Sequence, residues 1–346
     1  MTISPDSGTT LDVDLLDVLR TATGAHVDFA EPPTPITGGF YARLVRFRLH
    51  GATDGWRREL VARVMPDPGT AAKETMVQAG VASQGYPTPA VRLDGGPGDG
   101  LGQAFMVMDL APGAPILAGL DGIAAMSALP RLARALPGLL AESMALLHRL
   151  DPGPIRDRLT RSAGSGVGID QVVASLGETA VLLGRGDLAM AATWLATHRP
   201  EAEPDVICHG DLHPFNVLVD TDGSFTVLDW SAALLAPAAY DVAFTGLVLA
   251  EPPVTVARPF RPLVRIAGRR LARRFRRAYQ RRSGAELDRQ SLAWHEGLVC
   301  LRALLEVAGW ADAGLTSERR GHPWLVCGPR FATRLSVLTE VRVRAD

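Results

Sequence analysis

One stretch constrains this chain more than any other: HGDLHPFNVLVD, the turn TDGS and then FTVLDW, running from His209 to Trp230. Two short apolar arms, Val217 to Val219 and Phe225 to Leu228, flank an Asp222-Gly223 turn, the pattern of a β-hairpin. Asp211 and Asn216 stand in the loop entering the first arm, and Asp229 stands at the exit of the second. A hairpin therefore brings three oxygen-bearing side chains toward one another. Hard oxygen donors suit Mg²⁺, which keeps waters and bridges phosphates. A carboxylate close by but off the metal orients a hydroxyl and takes its proton, and together these are the parts phosphoryl transfer needs. Singly, each of the three is an ordinary turn former; their joint spacing carries the reading. His209, Asp211 and His213 alternate along the same stretch, which admits a zinc-dependent hydrolase as a second chemistry. No further His cluster lies nearby in sequence to complete it.

Around this hairpin the chain changes character. Leu11 to Thr23 has apolar residues at helical spacing, and Pro32, Pro33 and Pro35 stop any helix beyond it. Tyr41, Leu44, Val45, Phe47 and Leu49 read as strand, as does ELVARVMP, and Lys73 to Ser83 reads as a short helix. GYPTPAVRL is a Pro-punctuated entry to a strand and QAFMVMDL another strand. The intervening GGPGDGLG lacks the Lys-Ser/Thr ending of a phosphate-binding loop and reads as a hairpin turn. After Asp109 helices take over: LPRLARALPGLLAESMALLHRLDP, closed by Asp151, Pro152 and Gly153, then Met190 to His198, and beyond Asp241 three more. The expectation is an α+β fold with a strand-rich part, 1–109, followed by a larger helical part, 110–346, that carries the catalytic loop 209–216 and the residues 229–230.

Composition excludes several classes. With 47% apolar and 21% charged residues among 346, the chain is no disordered polymer. No apolar run is long enough for a transmembrane segment, and the polar opening MTISPDSGTTLDVD lacks the order of an export signal. Cys208, Cys300 and Cys327 are scattered and form no metal-binding spacing, so the chain reads as cytoplasmic. The net charge of −1 hides an asymmetry: after Trp230 there are nineteen arginines and ten carboxylates, a net of +9, against −10 before it. Eleven of those arginines fall between Arg258 and Arg282, with no acid among them, and Lys73 is the single lysine. Leu263, Ile266, Leu271, Phe275 and Tyr279 recur at helical spacing within that stretch, which reads as an amphipathic helix with a solvated basic face. No nucleic-acid partner is expected, and peripheral membrane contact through Arg258–Arg282 is the alternative reading.

HGDLHPFN has the His-x-Asp, four residues, Asn spacing of kinase catalytic loops. With the glycine after His209 and LDW after the hairpin, it resembles the aminoglycoside phosphotransferase family of small-molecule kinases. PITGGFYARLVRF resembles that family's opening hairpin, AFMVMDLAPGAPI its hinge, LLHRLDP its helix ending in Leu-His, and PAAYDVAF its Tyr-Asp-x-Ala segment. The resemblance implies a bilobal protein-kinase-like fold, with a small antiparallel β-sheet N-lobe bearing one helix and a mainly helical C-lobe. It implies ATP (or GTP) as phosphoryl donor, Mg²⁺, and a small-molecule hydroxylated acceptor. Residue by residue, it implies that Asp211 is the catalytic base, that Asn216 and Asp229 bind the metal, and that Gly38 and Gly39 approach the phosphates. Met108, Asp109 and Leu110 become the hinge facing the nucleobase, and Asp241 a brace for the catalytic loop. One position departs from the pattern: Arg63 stands where kinases carry a lysine. Arginine is always charged and grips phosphate with two donors, so the role survives, with Glu74 as its expected ion-pair partner and Lys73 as its competitor. The +9 of the tail after Trp230 disfavours a polycationic aminoglycoside and favours a neutral or anionic acceptor, unless Glu286, Asp288 or Glu296 line the pocket. A catalytically silent, nucleotide-binding regulatory protein is the alternative within the same fold. Resistance, catabolism and biosynthesis all remain open as roles.

Overall fold

The computed structural model describes residues 6–24, 26–36, 42–116, 122–163, 168–252 and 258–345. Two compact units emerge, 1–114 with 218–231 and 115–217 with 232–346, so the hairpin groups with the strand-rich unit and not with the helices around it in sequence. Along the first 115 residues run α1 (Asp6–Thr23), β1 (Asp28–Phe29), β2 (Thr34–Ile36), β3 (Arg43–Phe47), β4 (Leu49–His50), β5 (Leu60–Met65), α2 (Pro68–Ser83), β6 (Val91–Gly95), β7 (Ala104–Asp109) and β8 (Ala114–Pro115). Then follow α3 (Gly122–Leu147), α4 (Gly153–Ala163), α5 (Ile169–Leu182), α6 (Gly186–Thr197), β9 (Asp205–Cys208), β10 (Val217–Val219), β11 (Phe225–Val227) and β12 (Leu234–Pro237). The chain ends with α7 (Ala239–Ala250), a 3₁₀ turn (Arg258–Phe260), α8 (Arg261–Ser283), α9 (Arg289–Asp312) and α10 (Pro323–Thr339). The fold class is the α+β expected. Among the described residues, no helix is long and apolar enough to cross a membrane.

An antiparallel sheet of order β2-β3-β5-β7-β6 organises the first unit. Every residue of its middle strand β5 is buried, although Arg63 lies among them. The period-two alternation of a strand sorts that strand's side chains. Leu60, Ala62 and Val64 pack with Leu15 and Leu19 of α1, whereas Met65 packs with Ala71 of α2 and Met106 of β7. Arg63 shares the Met65 face and is thereby aimed at α2. That helix starts at Pro68, five residues before the expected Lys73. Asp67 caps it by accepting the N–H groups of Gly69 and Thr70 at 3.3 and 2.9 Å, and Pro68 occupies the first turn, where a missing N–H costs nothing. Asp67, Pro68 and Gly69, which the expected elements left between strand and helix, begin the helix. GGPGDGLG is the hairpin connection between β6 and β7, with Gly96 N–H donating to Asp99 Oδ2 at 2.7 Å.

Helices dominate the second unit, in a core that links Ile169 and Val173 of α5 with Leu195, Phe244, Leu298 and Phe331. Three helices here, α4, α5 and α10, were not expected from sequence, and α6 begins at Gly186 instead of Met190. Asp151 explains the first: its carboxylate accepts Gly153 N–H at 2.9 Å, so the residues that stop α3 also start α4. Glu296 on α9 ties α8 and α10 together, accepting from Arg276 and, at 2.9 Å, from Nε of Arg334. Glu296 is 5% exposed, and removing it takes the shared acceptor from two partly exposed guanidinium groups. Glu296→Ala is expected to cost about 1–2 kcal/mol and lower Tm by a few degrees in a calorimetric scan. An unchanged Tm would show that the three helices do not depend on this contact.

Candidate active site

The expected site residues fall into two clusters, one in each unit. In the first, Arg63 is 8% exposed and lies against two carboxylates. Its Nη2 donates to Glu74 Oε2 and to Asp229 Oδ1, each at 3.3 Å. Its Nε lies 3.2 Å from Glu74 Oε1 without hydrogen-bond alignment. Asp229 holds a left-handed backbone, φ 65°, a conformation a side chain tolerates poorly, which turns its carboxylate out of the hairpin's run. Ser231 Oγ donates to the same Asp229 Oδ1 at 2.7 Å. Burial pushes Glu74 up to about 7, with Asp229 adding to the rise, while Arg63 and the backbone N–H of Trp230 pull against it. Lys73, one position earlier on α2, exerts its field on Asp67.

Sequence reasoning missed what anchors this cluster. Trp230 is fully buried, and its indole N–H donates to Thr88 Oγ1 at 2.9 Å. Thr88 in turn donates to Val227 O at 2.8 Å, Val227 N–H donates to Pro87 O at 2.8 Å, and Tyr86 meets the indole edge-to-face at 5.6 Å. GYPTP is thus more than the entry to a strand: it clamps the hairpin exit next to Asp229. The one hint in sequence was a tryptophan that needs a hydrogen-bond acceptor when buried.

Met108, Asp109 and Leu110 close β7. Asp109 N–H donates to Ala90 O at 3.1 Å and Leu110 N–H to Glu59 O at 2.8 Å, so both donors already have protein acceptors. The Asp109 carboxylate is gripped by Arg92 at 2.7 and 2.6 Å. Gly38 and Gly39, expected to approach the phosphates, lie outside the described residues.

Asp211 and Asn216 form the second cluster. The loop between β9 and β10 is fastened from below by Asp241, whose carboxylate accepts the N–H groups of His209 and Gly210 at 2.8 and 2.7 Å. His148 Nε2 meets the same carboxylate at 3.2 Å, with Nδ1 on Tyr279 Oη at 2.8 Å. Burial alone would raise Asp241; His148 and the backbone donors outweigh it and hold the carboxyl below its ordinary range. Arg302 of α9 donates to Gly210 O at 2.9 Å and Tyr240 Oη at 3.0 Å, a tie that sequence reasoning did not find. Gly210 is required: its φ is 76° and a Cβ would collide with Ala232 O.

On this support Asn216 Nδ2 donates to Asp211 O at 2.9 Å and Asp211 Oδ2 at 3.2 Å. His213 Nδ1 accepts Phe215 N–H at 3.2 Å, which assigns the ring proton to Nε2, 3.5 Å from the same Asp211 Oδ2. One carboxylate oxygen is therefore held by the loop. Among the described residues, neither Asp211 Oδ1 nor Asn216 Oδ1 accepts a hydrogen bond.

The zinc reading finds no support. His209 is fully buried, and its Nδ1 accepts Asp211 N–H at 3.2 Å. Among the described residues the one clustered set of His, Cys and Asp is His148, Cys208 and Asp241, where Cys208 is a buried thiol directed at Ala236 O and Pro237 O. Of the acids that might have answered the positive tail, Glu296 is engaged by two arginines and Asp288 caps α9 by accepting Ser291 N–H at 2.6 Å.

Glu74 yields a pH test. Its pKa is about 7 in the folded chain against an ordinary 4.5, so the folded state holds the proton more tightly and stability falls as pH rises through that window. Glu74→Gln should flatten the slope between pH 5 and 7 by up to about 3 kcal/mol in denaturant titrations. The same slope in both proteins would place the titration elsewhere.

A search of curated proteins finds no match to the sequence. Solved structures do match in fold. A candidate aminoglycoside phosphotransferase from Ralstonia eutropha superposes with TM-score 0.66 at 18% identity, covering 95% of this chain and 97% of that one. A thermostable variant of APH(4)-Ia, in ternary complex with AMP-PNP and hygromycin B, gives 0.57 at 18% identity over 95% and 98%. The macrolide 2′-phosphotransferase MphH from Brachybacterium faecium gives 0.54 at 19% identity over 91% and 98%. The phosphotransferase enzyme family matches residues 33–295, well over half of the chain. Sequence and fold agree, and the protein belongs to the phosphotransferase enzyme family.

Proposed function

We propose that the protein is a cytoplasmic small-molecule O-phosphotransferase that moves the γ-phosphoryl group of ATP or GTP onto a hydroxyl. Residues 1–109 are assigned to nucleotide binding and 110–346 to the catalytic loop and the acceptor. The arrangement of Asn216 on Asp211 carries this reading. The amide points its nitrogen at two oxygens of Asp211, which leaves Asn216 Oδ1 as an open donor to a cation and Asp211 Oδ1 open to a hydroxyl. All the donors in the set are hard oxygens, so the residues fit Mg²⁺, with Asn216 and Asp229 as its ligands. When bound, that ion neutralises charge on the transferring group.

Every other part belongs to the chain. Asp211 aims the acceptor hydroxyl and takes its proton at Oδ1, while Asn216 and His213 keep Oδ2 fixed. Arg63 supplies the always-charged group for the phosphates, held in place by Glu74, and Gly38 and Gly39 are assigned to the phosphates by resemblance alone. Met108, Asp109 and Leu110 border the nucleobase through groups other than the Asp109 and Leu110 N–H. Catalysis is then mostly positioning and electrostatics. For the acceptor we favour a neutral or anionic hydroxylated compound, because two of the three local acids already serve structure and the tail after Trp230 carries a net +9.

With γ-labelled nucleotide and a panel of sugars, macrolides, nucleosides, hydroxyacyl thioesters and aminoglycosides, label should pass to a neutral or anionic alcohol. Asp211→Asn should lower kcat by about 10²–10⁴-fold with nucleotide Kd within about three-fold of wild type. Equal loss of binding and turnover would make Asp211 structural. Nucleotide affinity should fall in Arg63→Ala and persist in Lys73→Ala; the reverse would overturn the arginine assignment. Aminoglycoside turnover at low-micromolar KM would overturn the acceptor class.

A further inference from the structure

The basic stretch is not absorbed by phosphoryl transfer. Only part of α8 packs inward: Gly268, Ala272, Phe275 and Tyr279 form the buried stripe against α3 and α7. Gly268 approaches α7 so closely that a Cβ would stand 2.7 Å from the carbonyls of Leu249 and Ala250. At 100° per residue the opposite face reads Leu263, Ile266, Arg270, Arg273, Arg277 and Arg281. All six are exposed. Leu263 and Ile266 are 65% and 50% open to solvent, and Phe260 in the preceding turn is 59% open.

Among the described residues the helix forms two ion pairs, Arg276 with Glu296 and Arg282 with Glu142. The four outward arginines take part in neither. One face thus carries exposed apolar side chains at its start and uncompensated guanidinium groups along the rest.

We propose that this face of α8 docks the enzyme on an anionic lipid bilayer. Headgroup phosphates match the arginines in charge, and the acyl boundary takes Phe260, Leu263 and Ile266, which water does not accommodate. A phosphate backbone alone would satisfy the arginines and leave those three side chains wet. A second copy of the chain would bring the same positive face against itself and be repelled. A solvated basic face, as read from sequence, accounts for the arginines but not for the apolar residues aligned with them.

The test is flotation of the full-length protein with vesicles of phosphatidylcholine, alone or mixed with phosphatidylglycerol, at physiological salt. Binding to the mixed vesicles should be roughly ten-fold tighter or more, and the combined Arg270→Gln, Arg273→Gln, Arg277→Gln and Arg281→Gln variant should lose that advantage. Leu263→Ser with Ile266→Ser should keep the salt-sensitive attraction and lose the fraction that resists high salt. Equal binding to both vesicle types, an unaffected arginine variant, or tighter binding to an oligonucleotide duplex than to mixed vesicles would each overturn the proposal. So would a wild-type dimer that the Leu263→Ser and Ile266→Ser changes dissociate. Should the arginine variant fail to fold, the salt titration of wild type and the serine variant decide the matter.

Discussion

A guanidinium group that cannot lose its proton, set into the middle strand of a sheet, forces much of what surrounds it. Arg63 is buried and must be matched by negative charge close at hand, because an unpaired buried ion costs several kcal/mol. Glu74 supplies one partner from α2 and Asp229 the other from the hairpin exit. Strand, helix and hairpin are thereby positioned against one another within the first unit. Neither carboxylate is there for free. Glu74 is pushed toward neutrality by burial, and Asp229 holds a strained left-handed backbone. Strain of this kind persists where the surroundings over-determine it. Here the Trp230–Thr88–Val227 hydrogen bonds and the Ser231 hydroxyl do so.

The second unit solves a different problem, that of exposing one carboxylate oxygen while fixing the other. Asp241 gathers two backbone N–H groups of the loop between β9 and β10, and Arg302 donates to the loop's carbonyl at Gly210. A buried carboxylate of this sort is stable because two backbone N–H groups and His148 satisfy it. With the loop's path set from below, Asn216 and His213 reach Asp211 from one side only. A carboxylate held in this way has little freedom left to lose, which is the structural form that pre-organisation takes.

Much of this was legible in sequence because phosphate chemistry demands oxygen donors at fixed places. His209 to Trp230 announces a hairpin through Asp222-Gly223 and its donors through their spacing. Arg63 stands where the resembling kinases carry a lysine, and the resemblance pairs it with Glu74, as the fold does. What escaped was set by tertiary context. Asp151 reads as the close of one helix, yet its carboxylate starts the next. Thr88 is silent until a buried indole needs its oxygen. Glu296 and Asp288 looked available to a cationic acceptor, yet one bridges two arginines and the other caps a helix. A charge count treats all carboxylates alike; packing decides which are free to act.

Coupling between Arg63 and Asp229 probes the account most directly, measured as a double-mutant cycle on the affinity for Mn²⁺ with AMP-PNP. Arg63→Met and Asp229→Asn should each weaken binding, and the double variant should be little worse than the poorer single one, a coupling of about 1–3 kcal/mol. Strictly additive losses, or affinity untouched by either change, would mean that guanidinium and carboxylate do not serve one nucleotide–metal ligand, and the account would be wrong.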